Sequence, residues 1–169
     1  MLRTIKIRFI CFAALSSNVV VAQSLLVRPD GLGPVQVGMS LSTLNKTLHT
    51  SYSRPSDPEE HACFYVDVPK QAGVALMILN GRVARIDVND NTAIITAEGI
   101  HVGDSEKRAL QAYGKRLKVT PHAYVPGGHY LTMFSSDRKY GIRYESEDGA
   151  VTRYYAGTAE AISFIEGCE

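Results

Sequence analysis

The feature that most restricts how this chain can fold is an internal repeat. Residues 35–40, Val-Gln-Val-Gly-Met-Ser, match residues 100–105, Ile-His-Val-Gly-Asp-Ser, at an offset of 65. Residues 73–86 match residues 141–154 at an offset of 68, and two dipeptides further along keep that second offset. Because the matches follow in the same order and differ only by three residues of loop, they indicate a duplicated unit.

Each copy is predicted to begin with a turn and a helix. Gly38 and Gly103 allow the chain to reverse sharply. Ser40 in the first copy, and Asp104 or Ser105 in the second, can cap the free amides of a helix. One face of the following helix is apolar, with Leu41, Leu44 and Leu48 in the first copy and Ala109, Leu110 and Tyr113 in the second.

Strands are predicted to follow each helix. The dipeptides Asn80-Gly81 and Asp148-Gly149 favour type I′ hairpin turns, because Asn, Asp and Gly tolerate the positive φ that these turns require. The first copy has predicted strands near 62–68, 73–79, 82–88 and 92–97, and the second has them near 129–135, 140–147, 150–156 and 160–166.

The chain is therefore predicted to be an α+β protein of two tandem units, residues 23–97 and 98–169. Each unit is predicted to be a helix packed on a four-stranded antiparallel meander sheet, and the two units together form one compact domain.

Alternation along the strands predicts which side chains face the helices. This inner side carries Val74, Leu76, Ile78, Ala84, Ile86 and Val88, with Ile142, Tyr144, Thr152, Tyr154 and Ala156. The outer side carries Ala75, Met77, Arg85 and Asp87 in the first unit. We expect this outer face to be open, with a binding surface formed by Tyr130, Arg143, Glu145, Arg153 and Tyr155, because Tyr and Arg are enriched at interface hot spots.

The N-terminus has the pattern of a signal peptide. Arg3, Lys6 and Arg8 precede an apolar stretch, and small residues at Val20 and Ala22 predict cleavage after residue 22. The apolar stretch is too short for a membrane span, which needs about 20 apolar residues. We therefore expect a periplasmic or secreted protein that does not insert into a membrane after cleavage.

The charge that remains after cleavage argues against nucleic-acid binding. The whole chain has 18 Lys and Arg and 17 Asp and Glu, and residues 1–22 hold three of the basic side chains and none of the acidic ones. The remainder has 15 basic and 17 acidic side chains, a net charge of −2. No block of Lys or Arg is present to neutralise a row of phosphates.

Two cysteines remain after cleavage, Cys63 and Cys168. In an oxidising compartment an even pair of cysteines favours a disulfide, and two buried thiols are the alternative. The bridge would close a loop of roughly a hundred residues and join the first unit to the C-terminus.

No motif predicts an enzyme or a bound cofactor. Ser40 and Ser105 follow glycine-containing turns, but helix capping explains both, and no Gly-x-Ser-x-Gly elbow is present. A zinc site could be formed by His122 and His129 with Glu145 or Asp137. The sequence lacks the closely spaced ligand pairs of known zinc motifs, so we predict no catalytic and no metal-binding residues.

The two helix starts, residues 38–40 and 103–105, together with the repeated meander, resemble the β-lactamase-inhibitor-protein-like fold. That group includes secreted inhibitory proteins of two tandem units and a single-unit lipoprotein of the outer-membrane barrel-assembly machinery. The segments 120–131 and 166–168 also resemble uncharacterised exported bacterial proteins. In the inhibitory proteins the concave sheet face holds the target enzyme, and disulfides lie within each unit, whereas here the bridge would join the units.

We therefore expect an exported, non-enzymatic and monomeric protein-binding module that uses its open sheet face. Its partner would be another envelope or secreted protein, and it would act as a hydrolase inhibitor or as an envelope assembly factor. One alternative is a carbohydrate- or peptidoglycan-binding protein, with Tyr130 or Tyr155 stacking on sugar rings. A further alternative is a small metal-dependent hydrolase at His122 and His129.

Overall fold

The computed structural model describes residues 25–168 of the 169-residue chain, so the predicted signal peptide lies outside the described residues. In chain order the elements are β1 (Leu26–Arg28), β2 (Gly31–Leu32), β3 (Val35–Gln36), α1 (Leu41–Leu48), β4 (Cys63–Asp67), β5 (Val74–Leu79), β6 (Arg82–Asn89), β7 (Ile95–Thr96), α2 (Glu106–Tyr113), β8 (Lys118–Pro121), β9 (His129–Phe134), β10 (Tyr140–Glu147) and β11 (Ala150–Thr158).

The fold is α+β, as predicted, with its strands in two sheets. The larger sheet has seven strands in the order β4-β5-β6-β11-β10-β9-β8, and every pairing in it is antiparallel. The smaller sheet has the order β3-β2-β1-β7. Neither helix within residues 25–168 has the length and apolar composition that crossing a membrane requires.

The local signals at the helix starts and hairpins are confirmed. The Ser40 side chain accepts a hydrogen bond from the Thr43 amide, and the Ser105 side chain accepts one from the Arg108 amide. Positive φ angles occur at both residues of each predicted turn: Asn80 (52°), Gly81 (77°), Asp148 (50°) and Gly149 (76°). The strands that flank these turns begin and end within two residues of their predicted bounds.

Several contacts recur at the spacing of the repeat. The Gly38 amide donates to the Val83 carbonyl at 2.7 Å, and the Gly103 amide donates to the Val151 carbonyl at 2.8 Å. A register shift lies between Met77 and Ile78 in β5 and, 68 residues later, between Glu145 and Ser146 in β10. Matching positions of the repeat therefore make matching contacts.

The predicted closing strands are wrong in both copies. Residues 92–97 contain only the two-residue β7, which pairs with β1 in the smaller sheet. Residues 160–166 contain a short 3-10 helix, Ala161–Ser163. The physical reason is that β6 and β11 pair with each other, so the sheet edge that either closing strand would have joined is already occupied.

Two of the residues predicted to face inward do not do so. Both errors come from β-bulges at the two register shifts. Ala84 packs with Met77 and Ala161 on the opposite side of the sheet, and Thr152 is exposed. Val83 and Val151 take their places in the main core. A bulge adds a residue to one strand and so reverses the direction of the side chains beyond it. The other predicted inner residues are buried in the main core: Val74, Leu76, Ile78, Ile86, Val88, Ile142, Tyr144, Tyr154 and Ala156.

The outer face of the large sheet is partly covered by the end of the chain. We call residues 159–168 the C-terminal strap. A disulfide between Cys63 and Cys168 fixes its end to the start of β4, which confirms the predicted bridge. Ala161 and Ile162 of the strap are fully buried, and Ala161 packs on Met77 and Ala84 of the sheet. The strap therefore covers polar side chains on the outer face of the sheet.

Candidate functional site

The five predicted binding residues lie on one face of the large sheet. Tyr155 of β11 lies opposite Arg143 of β10, and Arg153 lies opposite Glu145. Glu145 in turn lies opposite Tyr130 of β9. The shared face predicted from strand alternation is confirmed.

The expected exposure of these residues is mostly wrong. Tyr130 and Glu145 are 5% exposed and Tyr155 is 3% exposed. Arg143 is half-buried, and Arg153 is exposed. Alternation predicts the face on which a side chain lies, but it does not predict what covers that face.

A buried arginine binds the strap to the sheet. Arg85 is 4% exposed, and its guanidinium makes a bidentate pair with Asp87, with Nε and Nη2 each 2.7 Å from a carboxylate oxygen. Nη1 donates to the carbonyls of Ala161 and Phe164 at 3.0 Å each. Nη2 also donates to the Tyr65 hydroxyl at 2.6 Å. All five N–H groups of this guanidinium are therefore satisfied.

This network also changes the acidity of Tyr65. Its hydroxyl donates to Asp87 at 3.3 Å while it accepts from Arg85. Burial, followed by the negative charge of Asp87, raises the pKa of Tyr65 to about 12. Tyr65 therefore stays protonated at neutral pH and continues to donate to the carboxylate.

Tyr155 lies beneath Arg85 and has a hydroxyl with no partner. The guanidinium carbon of Arg85 is 4.4 Å from the centre of the Tyr155 ring. The hydroxyl is buried and has no partner at normal hydrogen-bond distance among residues 25–168, although the Glu145 carboxylate is close enough to interact with it. Burial, and then the charge of Glu145, raise the pKa of Tyr155 well above its ordinary value.

Glu145 is the acceptor at the centre of a second cluster. His122 Nε2 lies 3.1 Å from Glu145 Oε2, and the amides of Tyr124 and Val125 donate to His122 Nδ1 at 3.1 and 3.2 Å. Because Nδ1 accepts, the imidazole proton is on Nε2 and is donated to the carboxylate. Arg153 Nε lies 3.2 Å from the same Glu145 oxygen.

His122 also covers one of the predicted binding tyrosines. Its ring stacks on Tyr130 at 4.4 Å between centres, and the guanidinium carbon of Arg143 lies 5.1 Å from the same ring. Arg85 covers Tyr155 in a similar way. Neither tyrosine has the exposed ring that stacking on a sugar requires.

Two polar pockets adjoin this cluster. The Tyr155 pocket, of about 270 Å³, is lined by Tyr65, Arg85, Asp87, Asn89, Glu145, Arg153, Tyr155, Ile165, Glu166 and Gly167. A neighbouring pocket of about 500 Å³ is lined by Asn89, Asp90, His122, Tyr124, Val125, Glu145, Ser146, Glu147, Thr152 and Arg153. Both pockets are lined by Asn89, Glu145 and Arg153. The ion pair between Glu145 and Arg153 therefore separates the two pockets.

A third pocket runs along the strap. We call it the strap pocket; it measures about 520 Å³ and is lined by Cys63, Leu79, Tyr124, Ser163, Phe164, Ile165, Glu166, Gly167 and Cys168. Two large side chains on its border are well exposed, Tyr124 at 63% and Ile165 at 45%. Tyr65, at 39%, borders the same strap, because a Cβ on Gly167 would lie 2.7 Å from the Tyr65 hydroxyl.

The histidines of the proposed zinc site bind different carboxylates. His122 contacts Glu145 on the outer face, whereas His129 Nδ1 lies 2.8 Å from Glu106 Oε1. Asp137 binds Ser135 and the Lys139 amide. Within residues 25–168, no three His, Cys, Asp or Glu side chains are arranged to hold a metal ion.

The cluster at the start of α2 contains a serine, a histidine and a glutamate, but their hydrogen bonds are not those of a catalytic triad. Ser146 donates to Glu106, and His129 binds the same carboxylate, so the imidazole is not placed to take the serine proton. Burial alone would raise the pKa of Glu106, but the bonds from Ser146 and His129 hold it below its ordinary value. This cluster anchors the first turn of α2 to the sheet.

Comparisons of the chain with protein-family models, with curated proteins and with solved structures give no match. The resemblance to the β-lactamase-inhibitor-protein-like fold therefore stays a prediction.

Proposed function

We propose that this protein is an exported, non-enzymatic module that binds another envelope or secreted protein through the strap pocket and its exposed border. The supporting observation is the distribution of exposed large apolar side chains in residues 25–168. Five are exposed, and three of them, Tyr65, Tyr124 and Ile165, lie along the strap. Clustered exposed apolar side chains are typical of interaction sites.

The strap supports binding because it is held in place before a partner arrives. The disulfide fixes one end, Arg85 binds two of its carbonyls, and the Tyr124 hydroxyl donates to Glu166. A surface that is already ordered loses less conformational entropy on association. This argues for the strap as a recognition surface and replaces the open sheet face expected from the sequence.

The pocket chemistry favours a particular kind of partner surface. The strap pocket is lined mainly by apolar groups and is large enough for one bulky apolar side chain. We propose that the partner inserts such a side chain beside Tyr124 and Ile165. Aromatic side chains bordering a fixed pocket have the composition of an interface hot spot.

The disulfide supports a location in an oxidising compartment. Together with the signal pattern of residues 1–22, it supports export to the periplasm or beyond the cell. Hydrolase inhibition and envelope assembly are both compatible with such a module, and the identity of the captured partner distinguishes them.

The matched contacts support an origin by duplication, with two tandem helix-plus-strand units merged into one sheet. Asp87 and Tyr155 occupy the same position of the repeat at the 68-residue offset, and they pair with each other where β6 meets β11. We propose that this pairing lies on a pseudo-two-fold axis between the units. The covered Tyr155 site then lies between the two copies and is lined by residues of both, Asp87 from one and Tyr155 from the other.

The test is capture of partners from envelope extract, followed by affinity measurement for each captured protein. Tyr124→Ser removes the most exposed ring and is expected to weaken binding at least tenfold, as loss of a hot-spot side chain does. Tyr124→Phe keeps the ring but loses the bond to Glu166, and it is expected to retain most of the affinity.

Val119→Ser provides the matched control, because Val119 is 40% exposed but lies on β8 opposite the core residue Leu131 and does not line the strap pocket. If Val119→Ser and Tyr124→Ser weaken the affinity for a captured protein to the same extent, the proposed surface is wrong.

A further inference from the structure

The Tyr155 pocket has unused hydrogen-bonding groups that the proposed protein interface does not explain. The Tyr155 hydroxyl is buried without a partner. Arg153 has a side chain that is 57% exposed, and it forms an ion pair with Glu145 but no hydrogen bond with any residue of 25–168. A buried polar group without a partner costs stability, so its presence beside a pocket points to a ligand.

The charges around the pocket are nearly balanced. Arg85 and Asp87 satisfy each other, and Arg153 is paired with Glu145. Glu166 adds one further negative charge to the lining. A carboxylate ligand would lie beside Glu145 and Glu166, and an amine would meet the unused N–H groups of Arg153. Either charged ligand would be repelled by part of the lining.

A neutral ligand with several hydroxyls avoids both conflicts. Each hydroxyl can accept from Tyr155 or Arg153 and can donate to Glu145, whose contacts with His122 and Arg153 are both made through Oε2. The volume of about 270 Å³ is slightly below the range of drug-sized ligand sites, which suits a single small ring.

We propose that the Tyr155 pocket binds one neutral sugar ring through hydrogen bonds to the Tyr155 hydroxyl, the Arg153 guanidinium and the Glu145 carboxylate. This differs from the stacking expected from the sequence, because the Tyr155 ring is covered by Arg85 and only its hydroxyl is unpaired. The proposal does not depend on protein capture by the strap.

The binding test uses three sugars of the same size and different charge: glucose, glucuronate and glucosamine. Each is titrated into the secreted form of the protein while backbone amide shifts are recorded by NMR. We expect glucose to shift the amides of Tyr155 and its neighbours with a Kd on the order of 1 mM. We expect the two charged sugars to bind at least about fivefold more weakly.

Tyr155→Phe separates a binding role from a structural one. Removing a hydroxyl that has no partner is expected to raise the Tm by about 2–4 °C. The same change should weaken glucose binding about threefold to tenfold, the value of one hydrogen bond. Tyr140→Phe, a matched change outside the pocket lining, should alter neither quantity.

The proposal is overturned if glucose, at about 20 mM, shifts no amide near Tyr155. It is also overturned if a charged sugar binds more tightly than glucose, or if Tyr155→Phe lowers the Tm. Protein capture is a separate readout: Tyr155→Phe should leave it unchanged, so failure of either proposal can be told from failure of the other.

Discussion

At the scale of single residues, Arg85 connects the strap to the sheet. It joins a buried carboxylate, a tyrosine hydroxyl and two strap carbonyls with all of its N–H groups. Burial alone would lower the pKa of Arg85, but the hydrogen bonds and charge of Asp87 raise it, so the guanidinium stays charged. This residue therefore maintains the cover over the Tyr155 pocket.

Arg85→Met is predicted to be strongly destabilising. It keeps most of the side-chain volume but leaves Asp87 buried without its cation, and breaking a buried pair in this way costs about 3–5 kcal/mol. The free energy of unfolding, measured by urea denaturation, checks this value. Arg116→Met is the control: the Arg116 side chain is 58% exposed in its contact with Glu98, so its loss should cost less than about 1 kcal/mol. Equal effects of the two changes would contradict the role given to Arg85.

The spacing of Arg85 and Asp87 could have identified this pair from the sequence. Residues i and i+2 of a strand lie on the same face, so opposite charges at that spacing can pair. Burial of the pair could not be predicted in this way, because it depends on strap residues that contact Arg85 from 76 and 79 residues further along the chain. The same holds for Tyr130 and Tyr155, whose face was predicted correctly and whose exposure was not.

At the scale of elements, the pairing of β6 with β11 joins β4-β5-β6 to β11-β10-β9-β8 within one sheet of seven strands. The strands approach closely at Gly157, which lies opposite Arg85. A Cβ at Gly157 would lie 2.2 Å from the Ala84 carbonyl oxygen and 2.8 Å from the Arg85 Cα. Since both neighbours are backbone atoms, the junction cannot accept a side chain there without moving.

Gly157→Ala is predicted to destabilise the protein by at least about 3 kcal/mol or to prevent folding, because overpacking at rigid backbone has few ways to relax. Gly149→Ala is the comparison, because a Cβ there meets nothing and the cost is only that of a positive φ, about 1–2 kcal/mol. Thermal unfolding of the two variants measures the difference. A smaller loss for Gly157→Ala than for Gly149→Ala would show that the junction is looser than described.

The elements that the sequence predicts well are those with local causes. The hairpins at Asn80 and Asp148 depend on the φ preference of two adjacent residues, and both are present. The closing strands near 92–97 and 160–166 depend on a free sheet edge, which pairing between β6 and β11 removes. β8 (Lys118–Pro121) was not predicted because it has only four residues and ends in a proline, a residue that disfavours strands.

At the scale of the whole molecule, one covalent bridge spans most of the described chain. Cys63 and Cys168 are 105 residues apart, so the disulfide encloses α2, the strands β4 to β11 and nearly all of the strap. In the chain-entropy account, a loop of that length stabilises the folded state by about 4–5 kcal/mol, because it restricts the unfolded chain.

Replacing both cysteines by serine is therefore predicted to lower the free energy of unfolding by about 4–5 kcal/mol. Urea denaturation of the variant, compared with the unreduced protein, measures the loss. Wild-type protein treated with a reducing agent is the control and should unfold at the same urea concentration as the variant. A loss below about 1 kcal/mol would mean that the strap is held by Arg85 and packing alone.

The bridge has a further consequence for a protein exposed to proteases. Cleavage of any one peptide bond between residues 63 and 168, for example in the exposed turn at Ser136 and Asp137, leaves both fragments joined through sulfur. The nicked molecule keeps its mass, apart from one added water, and separates into two pieces only after reduction. A single cut in the loops of the second half would therefore leave the strap pocket and the Tyr155 pocket attached to the same molecule.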